Sequence, residues 1–135
     1  MPDPLGGCEL RYLRQVLDPN GLLVVNAQLG EPFMVKRVFT VLAPSGALRG
    51  QHAHRTCAQF LMAPSGEIVV KASDGEQTRD YRLDGPTVGL FVPPMVWASE
   101  LFVSDTSSLL VLCDQEYDES DYVRDWNEYL ALRSV

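Results

Sequence analysis

"GEIVVKASDGEQTRDYRLDGPTVGLFV", residues 66–92, holds three short runs of strand character cut by two turns. The runs "EIVVKAS" (67–73), "QTRDYRL" (77–83) and "TVGLFV" (87–92) are bounded by "SDGE" and "LDGP". Asp-Gly tolerates the positive φ of a type I′ turn, so "SDGE" predicts a hairpin. The pattern extends in both directions, through "GLLVVNA" (21–27), "MVKRVFTVL" (34–42), "QHAHRTCAQFLM" (51–62), "VWASELFV" (96–103) and "SLLVLCD" (108–114). Turn formers separate them all. About eight strands at such short spacing predict an all-β chain, an antiparallel sandwich or small barrel.

The period changes after residue 117. In "DESDYVRDWNEYLAL" (118–132), Tyr122, Val123, Trp126, Tyr129 and Leu130 recur at helical spacing, which predicts one amphipathic helix packed on the β body. Asp118 or Ser120 is placed to cap it. A length of 135 residues suits a single domain over 1–135, and nothing marks a second.

A formal net charge of -7 excludes the basic face of a nucleic-acid binder. Anionic small molecules stay in reach, because a few arginines set the local potential of a pocket. Cys8, Cys57 and Cys113 stand far apart and in odd number, as expected of reduced thiols in the cytoplasm. The N-terminal "MPDPLGGCELRYLRQ" lacks the apolar core of a signal peptide, and no run approaches membrane-spanning length. A soluble, cytoplasmic protein without a membrane partner is the expectation.

The chemistry concentrates in "RGQHAHR" (49–55), which holds both histidines of the chain, His52 and His54. Two residues apart on a strand, they share a face. A metal site would require more ligands, and Arg55, Thr56, Cys57, Ala58 and Gln59 bring no carboxylate after the pair. No metal is therefore expected. A histidine titrates near neutral pH and moves protons well. Arginine offers fixed positive charge to a phosphate or an enolate oxygen, and Arg37, Arg49 and Arg55 are available for it. Two polar residues on a solvated strand face is the plainer alternative.

These residues resemble the nucleotide-sugar 3,4-ketoisomerases, metal-free cupins that act on dTDP-4-keto-6-deoxyglucose. "DPNGLLVVNA", "EPFMVKRVFTV", "RGQHAHRTCAQFL", "LDGPTVGLFVPPMVW" and "YDESDYVRDWNEYL" are similar to five family segments, in the family's order and across almost the whole chain. The resemblance implies a cupin jelly roll with one C-terminal helix. It implies an isomerase that carries a C4 ketone to C3 through an enediolate, without cofactor. It carries over onto His52 and His54 as the proton-handling pair and Arg49 as an anion-holding group. Arg37, Thr40, Arg55, Gln59 and Trp97 are the expected substrate contacts. It further implies a homodimer with exchanged N-terminal strands.

The chain departs from the family in three places. Phe39 and Thr40 stand where the family usually carries a tyrosine, Ala98 where it commonly has histidine, and Arg55 where it has lysine. Those losses keep two alternatives in view: a related cupin with another keto-sugar or altered stereochemistry, and a non-catalytic nucleotide-sugar-binding module. Glu100, two residues beyond Ala98, is placed to share its face and to serve as an acid. Cys57 has the parity opposite to His54 and is expected on the other face, as a small buried hydrophobe.

Overall fold

A computed structural model describes residues 5–26 and 33–134. The end of the expected 21–27 strand lies outside them. The strands are β1 (Glu9–Tyr12), β2 (Gln15–Asp18), β3 (Gly21–Val24), β4 (Arg37–Leu42), β5 (Leu48–His54), β6 (Gln59–Ser65), β7 (Ile68–Ser73), β8 (Thr78–Leu83), β9 (Val88–Val92), β10 (Trp97–Phe102), β11 (Ser108–Cys113) and β12 (Tyr122–Val123). One α-helix, α1 (Trp126–Arg133), follows.

Two five-stranded antiparallel sheets, ordered β1-β9-β6-β11-β4 and β12-β5-β10-β7-β8, enclose the main core, while β2 and β3 pair with each other. This is the all-β cupin-type sandwich with a C-terminal helix. Leu61, Leu90, Leu109 and Val111 of the first sheet meet Ile68, Val70, Ala72, Leu83 and Phe102 of the second. β4 alternates, with Arg37, Phe39 and Val41 half-buried and Val38, Thr40 and Leu42 exposed. β6 does not alternate, because both its faces are covered. Leu61 and Ala63 face the main core, whereas Phe60 and Met62 pack with Leu13, Leu112 and Phe33 in a second cluster. The predicted hairpin is β7–β8. Its turn is a four-residue loop instead of a type I′ pair: the Asp74 carboxylate accepts from the amides of Glu76 and Gln77, and Gly75 takes φ +98°.

Three differences from the expected elements shape the site. The run 51–62 is two strands in different sheets, broken at Arg55–Ala58, where the amide of Ala58 and the amide and hydroxyl of Thr56 are held by Asp114 and Asp121. The helix begins at Trp126, with Asp125 as its cap, and not near 118. Residues 119–121 instead form a single 3-10 turn leading into β12, because Asp121 is drawn inward by the partners described below. Finally, β5 carries a bulge. Ala98 pairs with His52 and Ser99 with Gly50, so Gln51 is the inserted residue. Gly50 and Gln51 take φ +83° and +63°, a left-handed pair that suits glycine and costs any other residue about 1–2 kcal/mol. The insertion turns Arg49 and His52, three residues apart, onto one face. In an unbroken strand they would oppose each other.

Candidate active site

The cavity between the sheets measures about 200 Å³ and is walled by Phe39 and Val41 of β4, Gln59 of β6 and Leu109 and Val111 of β11. Across from these residues stand Arg49, Gly50 and His52 of β5, Glu100 of β10, and Tyr122 and Arg124. The two imidazoles lie side by side, ring centroids 5.0 Å apart, and the Tyr122 ring touches both at 5.0 and 4.4 Å.

His54 is oriented from behind. Its Nδ1 lies 2.8 Å from Asp121 Oδ2, and both side chains are buried. The other carboxylate oxygen, Oδ1, accepts from the Thr56 amide at 2.7 Å and the Thr56 hydroxyl at 2.9 Å. Burial pushes the Asp121 carboxyl up, but the hydrogen bonds from Thr56 and His54 outweigh it and hold Asp121 below the ordinary carboxylate range. Burial likewise pulls His54 below the usual histidine value, against the pull of Asp121. At neutral pH the pair is therefore carboxylate and neutral imidazole. Nδ1–H donates to the Asp121 carboxylate, which leaves the lone pair on Nε2, an atom buried without a hydrogen-bond partner. That is the arrangement of a poised base.

His52 is neutral too: burial, reinforced by His54, pulls it down to about 4. Arg37 reaches the site from β4, donating to the Tyr122 hydroxyl and to Cys113 Sγ, both at 3.3 Å. Arg124 lies 4.3 Å from the Tyr122 ring centroid and is held by Glu119 through two hydrogen bonds of 2.9 and 3.0 Å. Among the described residues, four of the five buried side-chain polar atoms without a partner belong to Arg37, His52, His54 and Glu100. Orphaned polar groups are costly in a core, so their gathering here marks a place built for a polar ligand.

Of the expected site residues, Arg49, His52 and Gln59 line the cavity, and His54 and Arg37 border it. Three expected substrate contacts do not. Thr40 points outward, since the alternation of β4 puts Phe39 and Val41 inside. Arg55 lies beyond the end of β5 and pairs with Glu128 of α1 at 2.8 Å. Trp97 packs against Trp126 and Tyr129 under the helix, with ring centroids 5.2 and 5.5 Å away. Cys57 is buried, but it is not opposite His54: the strand ends before it, and its sulfur lies within 4.8 Å of the His54 and Asp121 ligand-type atoms. Nδ1 and Oδ2 of that trio are joined in a hydrogen bond, and the contact with Cys113 together with burial pushes the Cys57 thiol up, towards its neutral form. The cluster therefore reads as an oriented base and not as a ligand set.

Asp121, Tyr122 and Arg124 hide in the sequence behind a helical periodicity. The signal that finds them is the acidic "YDESDY" segment itself, in a chain whose histidines require an orienting carboxylate.

The family described as FdtA, WxcM-like, C-terminal matches residues 6–134. The TDP-4-oxo-6-deoxy-alpha-D-glucose-3,4-oxoisomerase of Aneurinibacillus thermoaerophilus is 34% identical over 118 residues, 86% of this chain and 85% of that protein. A 3,4-ketoisomerase structure from Helicobacter canadensis superposes with a TM-score of 0.90 at 28% identity, over 96% of this chain and 98% of that one. A mutant of the Thermoanaerobacterium thermosaccharolyticum 3,4-ketoisomerase in complex with TDP-4-keto-6-deoxyglucose also reaches 0.90, at 26% identity, over 97% of this chain and 96% of the other. In sequence, in fold and in the match of residues 6–134, this chain belongs to the FdtA-type, WxcM-like C-terminal family.

Proposed function

We propose that the protein is a sugar 3,4-ketoisomerase that converts dTDP-4-keto-6-deoxyglucose into a dTDP-3-keto-6-deoxyhexose. The observation that carries the reading is the lone pair of His54 Nε2, fixed by the Asp121 carboxylate beside the cavity-lining His52 and Tyr122. A C4 ketone acidifies the C3 hydrogen; His54 removes it, and the electrons of the C3–H bond form the enediolate. A proton returned at C4 through the histidine pair, with the net shift of the C3 hydroxyl proton to the C4 oxygen, leaves the carbonyl at C3. His52, 5.0 Å from His54 and neutral, is placed to share that transfer. The chemistry requires a base, a proton donor and charge stabilisation of oxygen, and no redox cofactor.

Incubation with dTDP-4-keto-6-deoxyglucose in D2O tests the reading by NMR. Deuterium should enter C3 and a 3-keto product should form. Tight nucleotide-sugar binding with neither event would leave a binding module.

Arg49, exposed at the cavity mouth, serves the substrate's negative charge. Arg49→Ala is expected to lower kcat/KM about 10- to 100-fold, the loss of one charged hydrogen bond of about 1.5–3 kcal/mol. Unchanged kinetics would place the substrate elsewhere.

The protein works as a cytoplasmic homodimer with exchanged N-terminal strands. The unpaired Cys8, Cys57 and Cys113 suit a reducing compartment. The β2–β3 hairpin leaves Leu17 79% and Leu23 58% exposed, and edge strand β4 shows Val38 and Leu42 to the outside. Such apolar surface calls for a partner. Sedimentation equilibrium should return twice the chain mass; a monomer at micromolar concentration would contradict the exchange.

A further inference from the structure

Glu100 is the buried titratable group that the histidine chemistry leaves unused. Its side chain enters the cavity from β10, is 8% exposed, and carries an Oε2 with no hydrogen-bond partner. Its pairing partners are Arg49 on β5 and Val70 on β7. A Cβ at Gly50 would collide with this carboxyl, so the β5 bulge supplies the room that Glu100 occupies. From the facing sheet it meets apolar Phe39, Val41, Leu109 and Val111, and the Gln59 amide. The charged or titratable groups around the same cavity are Arg49 and His52 on β5 and Tyr122 and Arg124 at and beyond β12. No ion pair forms between Glu100 and any of them among the described residues. Burial outweighs the attraction of Arg49 and pushes the Glu100 carboxyl up to about 8. A buried carboxyl with no cationic partner keeps its proton, and a neutral acid with a free O–H is a hydrogen-bond and proton donor.

We infer that Glu100 gives its proton to the C4 oxygen of the keto-sugar as the C3 hydrogen leaves, then takes the proton of the C3 hydroxyl. The inference rests on the ketoisomerase reading above. As His54 removes the C3 hydrogen, the C3–H electrons become the C3=C4 bond, and the π pair of the C4 carbonyl takes the Glu100 proton. The result is a neutral enediol, an imidazolium and a Glu100 carboxylate. In the second half, the O–H bond at C3 breaks towards Glu100 and its electrons form the C3 carbonyl. The C3=C4 pair takes a proton at C4 through the histidine pair. Both groups return to their starting state, and no further reactant is consumed. Glu100 thus supplies an acid in a chain that has Ala98 and Thr40 where its resemblance places histidine and tyrosine.

Glu100→Gln keeps the shape and a hydrogen-bond donor but has no proton to transfer. In pH–rate profiles with the dTDP keto-sugar, the variant should lose about 10²- to 10⁴-fold in kcat with KM changed only a few-fold. The unmodified enzyme should show an alkaline limb near pH 8 that the variant lacks. An unchanged kcat, or an alkaline limb that survives in the variant, overturns the inference. Infrared spectroscopy of the unmodified protein needs no variant. The carbonyl stretch of a protonated carboxylic acid should be present at neutral pH and fade as the pH passes about 8. Absence of that band at neutral pH overturns the inference as well. If the unmodified protein shows no turnover, the ketoisomerase reading fails, and the infrared titration separately reports whether Glu100 holds its proton.

Discussion

His54→Asn is expected to fold normally and to incorporate no deuterium at C3 of the keto-sugar, with turnover down about 10²- to 10⁴-fold. The fold survives because the asparagine amide is itself a donor and can take over the hydrogen bond that Nδ1 makes to Asp121 at 2.8 Å. The carboxylate therefore stays paired, and the penalty for a buried unpaired charge is avoided. What disappears is the buried Nε2 lone pair, the atom assigned to take the C3 proton. His52 remains, but its ring hydrogen-bonds to the Gly50 backbone instead of a carboxylate, and its basicity is weakened by burial to about 4. Circular dichroism separates folding from chemistry, and full C3 exchange in a folded variant would remove His54 as the base.

Asp121→Asn is the second large expected effect, and it works without touching the base. The side-chain oxygen of the introduced asparagine can still accept from the Thr56 amide and hydroxyl, so the turn at 55–58 keeps its anchor. The other end becomes an NH2 donor facing Nδ1. That donor favours the tautomer with the proton on Nε2, which turns the base into a donor. The expected loss is about 10²- to 10⁴-fold in kcat. The pH dependence distinguishes this from simple weakening. Asp121 raises the His54 pKa and burial lowers it. Removing the carboxylate drops the His54 pKa further, and the acid limb of the rate profile moves to lower pH. Activity stays low at all higher pH, because more alkaline solution does not restore the tautomer. Recovery to the unmodified rate above neutral pH would refute the orienting role.

The fold was legible because its strands carry period-two patterns and its turns carry turn residues. β8 and β4 alternate along their length, and the "SDGE" hairpin lies where Asp-Gly demands one. The four-residue strands β1 and β2 escaped, since both are largely exposed and the edge surface they offer has no alternation to read. Residues 51–62 looked continuous because apolar character carries through "TCAQF"; only carboxylates from 114 and 121, distant in sequence, reveal the break. Helix α1 was read as beginning too early for a related reason. Tyr122 and Val123 have helical spacing with Trp126, yet they pair as a strand with His54 and Ala53.

The site divides along the same line. Arg49, His52, Gln59 and Glu100 line the cavity. Arg49 does so through a bulge that no alternation rule anticipates, since a three-residue separation puts two side chains on opposite faces. Thr40 is one step out of phase with the inward residues of β4, and Trp97 one step out of phase with Ala98 and Glu100 on β10. Arg55 is past the strand altogether. Each of these three depends on register, which pairing decides and a lone sequence does not carry.

The bulge also limits what can stand at residue 50. The volume that the Glu100 carboxyl fills is the volume that residue 50 gives up by having no side chain. A side chain at residue 50 would press on the Glu100 carboxyl, which can swing aside, and on the Ala98 carbonyl, which cannot. Shortening residue 100 relieves only the first contact, and the left-handed backbone at 50 still taxes every newcomer but glycine. Glycine at 50 is thereby held by the backbone around it, whichever residue stands at 100.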